Sequence, residues 1–223
     1  MRATSKFLAL ALAAVLQPAI AAPAPIELKF EDIVSKVDAD GLVDLRTLQY
    51  PGVEFQGAAW GVTRAGGACG GEADIVMPNG GCGAFWLSAD PTTGSQSGPQ
   101  VARIVLSGGF SSGSTLIYSV ERNASVTVSV FGSEDYTVAP ITTYSLAGGC
   151  STGANFCEWN TLALDFSGVA KSLVISGTDN SVLLDDLSFS PSSTTQPLPE
   201  PGSVALALAA LGALGWARKR AAR

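Results

Sequence analysis

Between Ile26 and Phe189 the chain is cut into about ten short apolar runs, and none keeps a helical period long enough to make a long helix. The first run is PIELKFEDI, with Ile26, Leu28 and Phe30 on one side. The second, VEFQGAAWGVT, reads as one strand with Val53 and Phe55 on one side. GAFWLS, VARIVLSGGF, STLIYSVE, ASVTVSVF, PITTYSLAG, WNTLALDF, KSLVISG and SVLLDDLSF follow, with Gly, Asn, Asp or Ser between many of them. Short strands at this spacing predict an all-β domain, a β-sandwich of about ten strands. VSKVDADGLVDLRTLQYPG is expected to be irregular with a helical turn, and SADPTTGSQSGPQ to be a loop. Only 14% of the residues are charged and 25 are glycine, which suits a fold with many turns.

The two ends follow different rules. Arg2 and Lys6 precede the apolar run Phe7 to Leu16, which is too short to span a bilayer, and Ala19-Ile20-Ala21 then offers small residues where a signal peptidase reads. This order predicts a signal peptide over residues 1–21, handled by the Sec translocon and cut near Ala21 or Ala22 by signal peptidase. The sandwich is assigned to 22–190. Residues 191–198 form a Pro/Ser/Thr linker that cannot pack a core. From Gly202 to Ala217 the chain is apolar except for Ser203; as a helix it measures about 24 Å, a marginal transmembrane span. Trp216 and the basic run Arg218-Lys219-Arg220 place its end at the cytoplasmic interface.

The ends carry six of the thirteen basic residues and only one, Glu200, of the nineteen acidic ones, so the stretch between is far more acidic than the whole chain. Such a surface repels phosphate backbones and excludes nucleic acid as a partner. Histidine is absent, which removes Ser-His-Asp and Cys-His chemistry and the commonest metal ligand. The cysteines are Cys69, Cys82, Cys150 and Cys157. In an exported chain an even number predicts disulfides, and proximity favours Cys69–Cys82 and Cys150–Cys157, although three pairings are formally open.

Pro199-Glu200-Pro201, the short apolar helix and the basic end resemble the PEP-CTERM sorting signal, here 199–223. That resemblance implies recognition by an exosortase, a membrane cysteine protease or transpeptidase. It also implies a Gram-negative host, an inner-membrane-anchored precursor, delivery to the cell surface or matrix, and association with exopolysaccharide and biofilm. The opening F-E-D and closing D-D-L-x-F resemble edge strands of galactose-binding-like jelly-roll domains, with a concanavalin-like sandwich left open. This second resemblance implies a structural Ca²⁺ between the first and last strands, with Glu31, Asp32, Asp185 and Asp186 as its oxygen ligands; carboxylates bonded to turn amides are the alternative. Asp185 alternates with Leu183, Leu187 and Phe189 and is therefore expected on the core side.

Asp38, Asp40 and Asp44 resemble the start of a calcium loop but lack the later glutamate, so a solvated acidic loop is expected. Trp60, Trp86, Trp159, Tyr118, Tyr136 and Tyr144 form the pool of rings that could stack on sugars, and Trp159, just after the Cys150–Cys157 stretch, is the first candidate. No pair of carboxylates is singled out for glycoside hydrolysis. The expected function is a non-catalytic carbohydrate- or matrix-associated surface protein. A purely structural biofilm protein and a carboxylate-based glycan hydrolase or lyase are the alternatives.

Overall fold

A computed structural model describes residues 24–66, 69, 71, 75–89, 98–148, 156 and 158–192. Among these lie twelve strands: β1 (Ile26–Leu28), β2 (Leu42–Asp44), β3 (Val53–Gly57), β4 (Ala59–Thr63), β5 (Gly83–Leu87) and β6 (Pro99–Phe110). The second half supplies β7 (Ser114–Val120), β8 (Ser125–Phe131), β9 (Thr142–Ala147), β10 (Asn160–Leu164), β11 (Ala170–Thr178) and β12 (Val182–Phe189). The helices among the described residues are short 3₁₀ turns, among them Glu31–Ser35, Leu45–Thr47 and Pro78–Gly80. The all-β expectation is met.

Two antiparallel sheets face each other. One has the order β10-β7-β12-β5-β4-β2, with β1 pairing beside β5 on the same edge of β12; the other has the order β3-β6-β11-β8-β9. Their inner faces enclose one core that includes Phe30, Phe55, Phe85, Phe110, Leu116, Val128, Leu173, Ile175, Leu184 and Phe189. Phe110 meets Phe189 and Phe166 edge-on, at 5.1 and 5.6 Å between ring centroids. A smaller cluster of Val62, Met77, Ala84 and Leu183 lies on the far side of the larger sheet, with Trp86, Phe156 and Trp159 packed against it.

The strand count differs from ten for two reasons. β2 is only three residues long, inside a stretch whose acidic turns hide it. The run VEFQGAAWGVT is two strands in different sheets, β3 in the smaller and β4 in the larger. The chain changes sheet at Gly57–Ala58. Gly57 has φ 72°, and a Cβ there would lie 2.3 Å from the Val101 carbonyl oxygen, so only glycine makes this crossing. β1 is also shorter than its apolar pattern, because Phe30 turns left-handed (φ 55°) and starts the Glu31–Ser35 turn.

β12 corrects two further expectations. It is not an edge strand: β7 pairs with one side of it, and β5 and β1 share the other. Nor do Leu183, Asp185, Leu187 and Phe189 share one face. A bulge between Asp185 and Ser188, with Asp186 at φ 47°, shifts the alternation by one residue. Val182, Leu184, Leu187 and Phe189 join the main core, while Leu183 joins the outer cluster. Asp185, two residues on from Leu183 and before the bulge, is therefore buried on the outer side of the sheet.

The exposed β7–β8 turn uses the other residue type that tolerates a left-handed backbone, Asn123 at φ 63°. Asn123→Ala is expected to cost about 1 kcal/mol and Asn123→Gly almost nothing. Urea unfolding would read this, and a larger loss for glycine than for alanine would contradict the account.

Candidate functional site

The pairing of β1 with β12 sets Leu28 opposite Leu187, so the chain leaving β1 passes beside the bulge in β12. Lys29, Glu31, Asp185 and Asp186 line an open pocket of about 420 Å³, closed on another side by Pro78, Gly80 and Gly81. Glu31 is tied to that wall: both of its carboxylate oxygens accept from the Cys82 amide, at 3.0 and 3.1 Å. A Cβ on Gly81 would lie 2.4 Å from Glu31 Oε1, so the close approach depends on glycine. The Cys69–Cys82 disulfide is formed as expected and holds the end of this wall.

Asp185 is only 3% exposed. Its carboxylate accepts the Asp186 amide at 2.8 Å. Burial is the main influence and raises its pKa; the Asp186 amide pulls the other way, and the charges of Asp186 and Glu31 add to the rise. The result is about 7. Asp185 is thus a carboxyl that holds its proton into the neutral range.

Of the four carboxylates expected to share a cation, Glu31, Asp185 and Asp186 border this pocket and Asp32 does not. Asp32 accepts from Lys36 Nζ at 2.8 Å and from the Tyr50 hydroxyl at 3.1 Å. Burial, and then Asp32, raise the Tyr50 pKa. Among the described residues no group of three or more Cys, Asp or Glu side chains is gathered closely enough to hold a metal ion. Both Glu31 oxygens accept from the Cys82 amide, so Glu31 faces the pocket with one shared hydrogen bond already made.

The other acidic loop behaves as expected for solvated turn carboxylates. Asp38 accepts from the amides of Asp40 and Leu42 at 3.1 and 2.9 Å. Asp44 takes Arg46 through Nε and Nη2 at 2.7 and 2.6 Å.

The aromatic pool divides sharply. Trp159 is half-buried on the outer cluster, with its indole N–H donated to the Val76 carbonyl. Trp60 lies directly across from Trp86 on the outside of the larger sheet and donates to the Ala89 carbonyl at 3.4 Å. Tyr144 pairs its hydroxyl with the Asp165 backbone, and Tyr118 packs against the main core. Tyr136 differs from all of them in standing out from the surface, 45% exposed. The Cys150 and Cys157 pairing, Pro199-Glu200-Pro201 and Arg218-Lys219-Arg220, the signal peptide and the C-terminal helix lie outside the described residues.

An all-β sandwich with this pocket and this exposed ring defines a class of domain, not a single activity. The tail says more. Residues 197–221 match the family of the PEP-CTERM protein-sorting motif, so the chain carries the signal of an exported protein sorted to the cell surface and processed by exosortase. No curated protein matches the chain. Several solved structures resemble the body weakly. The K1 cleaved adhesin domain of Lys-gingipain from Porphyromonas gingivalis W83 aligns at 7% identity and TM-score 0.44, over 68% of this chain and 98% of that one. TmCBM61 in complex with beta-1,4-galactotriose aligns at 11% and 0.35, over 70% and 97%. A family 6 carbohydrate-binding module aligns at 14% and 0.33, over 69% and 95%. Each TM-score is below 0.5, and the sandwich assignment rests on the sheet pairing of this chain itself.

Proposed function

We propose that the mature protein is a non-catalytic, matrix-associated domain that binds an exopolysaccharide after export. The observation that carries this reading is the sorting motif at 197–221, which marks the chain for export and surface sorting, where an extracellular polymer is the partner it would meet. Two features support it. The acidic body disfavours nucleic acids and other polyanions and is compatible with neutral polymers or divalent cations. The sandwich also presents hydroxyl side chains and an exposed aromatic ring on one sheet, groups suited to sugar hydroxyls and to the apolar faces of sugar rings.

The route proposed has three steps. Sec export is followed by signal peptidase cleavage near Ala21 or Ala22. The apolar stretch 202–217 then holds the precursor in the inner membrane, with the basic end in the cytoplasm. Exosortase finally cuts in the extended segment before it and releases the body to the surface or matrix.

The test is affinity electrophoresis of the mature protein through gels cast with the native exopolysaccharide. Retarded migration is expected. Unretarded migration there and on a broad glycan array would overturn the binding reading.

A further inference from the structure

We propose that Tyr136, clamped by Arg103 on the outer face of the five-stranded sheet, is the platform for a neutral glycan that stacks a pyranose ring on the tyrosine. This rests on the glycan-binding reading above and gives it a site.

Among the described residues Tyr136 is the one exposed aromatic; the others are buried or half-buried. It is also fixed in place. Arg103, from β6, holds its guanidinium 4.0 Å from the ring centroid. Its Nη1 donates to the Glu134 carbonyl at 2.6 Å, so one arginine secures both the ring and the loop that carries it. Phe131 meets the ring edge-on at 6.2 Å. The Asp135 carboxylate accepts from the Thr137 hydroxyl at 3.0 Å and tightens the next residue. With the guanidinium over one face of the ring, the exposed area belongs to the other face and the rim.

The backbone adds a second argument. Tyr136 sits at φ 45°, a left-handed conformation that costs a bulky residue about 1–2 kcal/mol. At the exposed β7–β8 turn the same conformation is occupied by Asn123. Phe30, the other aromatic with this backbone, is buried in the core, whereas Tyr136 keeps a rigid, solvent-facing ring that is useful as a stacking surface.

The floor beside it is a row that crosses the whole sheet. Strand pairing aligns Gln56, Arg103, Val174, Ser129 and Thr143, one residue from each of the five strands. Their inner-facing neighbours Phe55, Ile104, Leu173 and Val130 lie in the core, so this row faces outward. At about 4.8 Å per strand the row spans about 19 Å: Arg103 and the buried Val174 lie at its middle, Gln56 at one end, and the hydroxyls of Ser129 and Thr143 at the other, within reach of a sugar stacked on the tyrosine. Ser129 and Thr143 already share a hydrogen bond of 2.9 Å. Glu134 and Asp135 beside the tyrosine are matched by Lys171, 3.4 Å from Glu134, and by Arg103 over the ring, so the site itself is close to neutral. The acidic body around it disfavours uronates, sulfates and phosphates and leaves an uncharged chain as the favoured ligand.

The mature wild-type protein and Tyr136→Asn are compared by affinity electrophoresis through β-1,4-galactan, xylan, dextran, alginate and the native exopolysaccharide. Asparagine suits the left-handed backbone, so this variant removes the ring without straining the fold; an unchanged melting temperature checks that. Arg103→Gln is the second variant, and it should weaken retention while leaving the fold intact. The expected result is retention of the wild type by at least one neutral polymer, weakened about tenfold by Tyr136→Asn, with no retention by alginate. Retention of the wild type that both folded variants keep in full would overturn this site and leave the glycan reading standing. Retention by alginate alone would overturn the preference for neutral chains. No retention of the wild type by any polymer would overturn the glycan reading itself, and this site with it.

Discussion

Asp185→Asn is expected to stabilise the folded domain by roughly 2–4 kcal/mol at pH 8, by only about 1–2 kcal/mol at pH 5, and hardly at all below the unfolded pKa. Unfolded, Asp185 has a pKa of 3.8; in the folded protein burial, with Asp186 and Glu31 nearby, moves it to about 7. Between these values the native state holds a proton that the unfolded state has lost, so wild-type stability falls as pH rises through that interval. Three units at about 1.4 kcal/mol each set an upper limit of about 4 kcal/mol. Asparagine imitates the protonated acid, can keep accepting the Asp186 amide, and never ionises. Its benefit should therefore grow from pH 5 to pH 8, appearing as a melting temperature higher by roughly 5–15 °C at the alkaline end. A variant less stable than wild type at pH 8 would show that the ionised carboxylate is satisfied there. Calcium sharpens the experiment. We propose that a cation, if one enters this pocket, does so by replacing the Asp185 proton. In that case millimolar Ca²⁺ raises the wild-type melting temperature at pH 8 and leaves Asp185→Asn unmoved; no response in either protein leaves the proton as the occupant.

Cys69→Ser is expected to cost about 3 kcal/mol, or roughly 6–12 °C in melting temperature. The bridge joins residues 13 apart and closes a loop that would otherwise sample many conformations. Its native-state role adds to this. Cys69 is buried, and Cys82 donates its amide to Glu31, so the bridge holds the pocket wall against the start of the fold. Thermal unfolding with and without dithiothreitol measures the effect. A reduced protein melting within a degree of the oxidised one would refute it. Cys150→Ser is expected to lower stability by about 2 kcal/mol or more if Cys150 pairs with Cys157.

Local sequence pattern revealed most of the strands, because each is a short apolar run bounded by turn residues. Sheet membership was hidden. Apolar residues recur along VEFQGAAWGVT from Val53 to Val62 without a polar turn between them, so the pattern does not say that β3 and β4 belong to different sheets, although Gly57 marks where they part. The bulge at Asp186 was hidden for a related reason. A one-residue shift leaves every apolar residue apolar and only changes which side it packs on, so the alternation assigned Asp185 to the wrong face while correctly marking it as buried. Asp32 and Glu31 are adjacent and look equivalent, yet the left-handed turn at Phe30 sends one to Tyr50 and the other to the Cys82 amide. Tyr136 was legible as one ring among six. Its exposure depends on a loop that folds back over β6, and the available hint was a bulky residue inside the polar stretch GSEDYTV.

The central position of β12 has a mechanical consequence. The strand leads toward the sorting motif, so in the proposed membrane-held precursor a pull on the tail runs along its length. With β7 on one flank and β5 and β1 on the other, that tension loads the ladders in shear, where many hydrogen bonds must fail together. An outermost strand pulled from its end would peel one bond at a time. The sheet order thus makes the domain resist a pull from the end that carries its address.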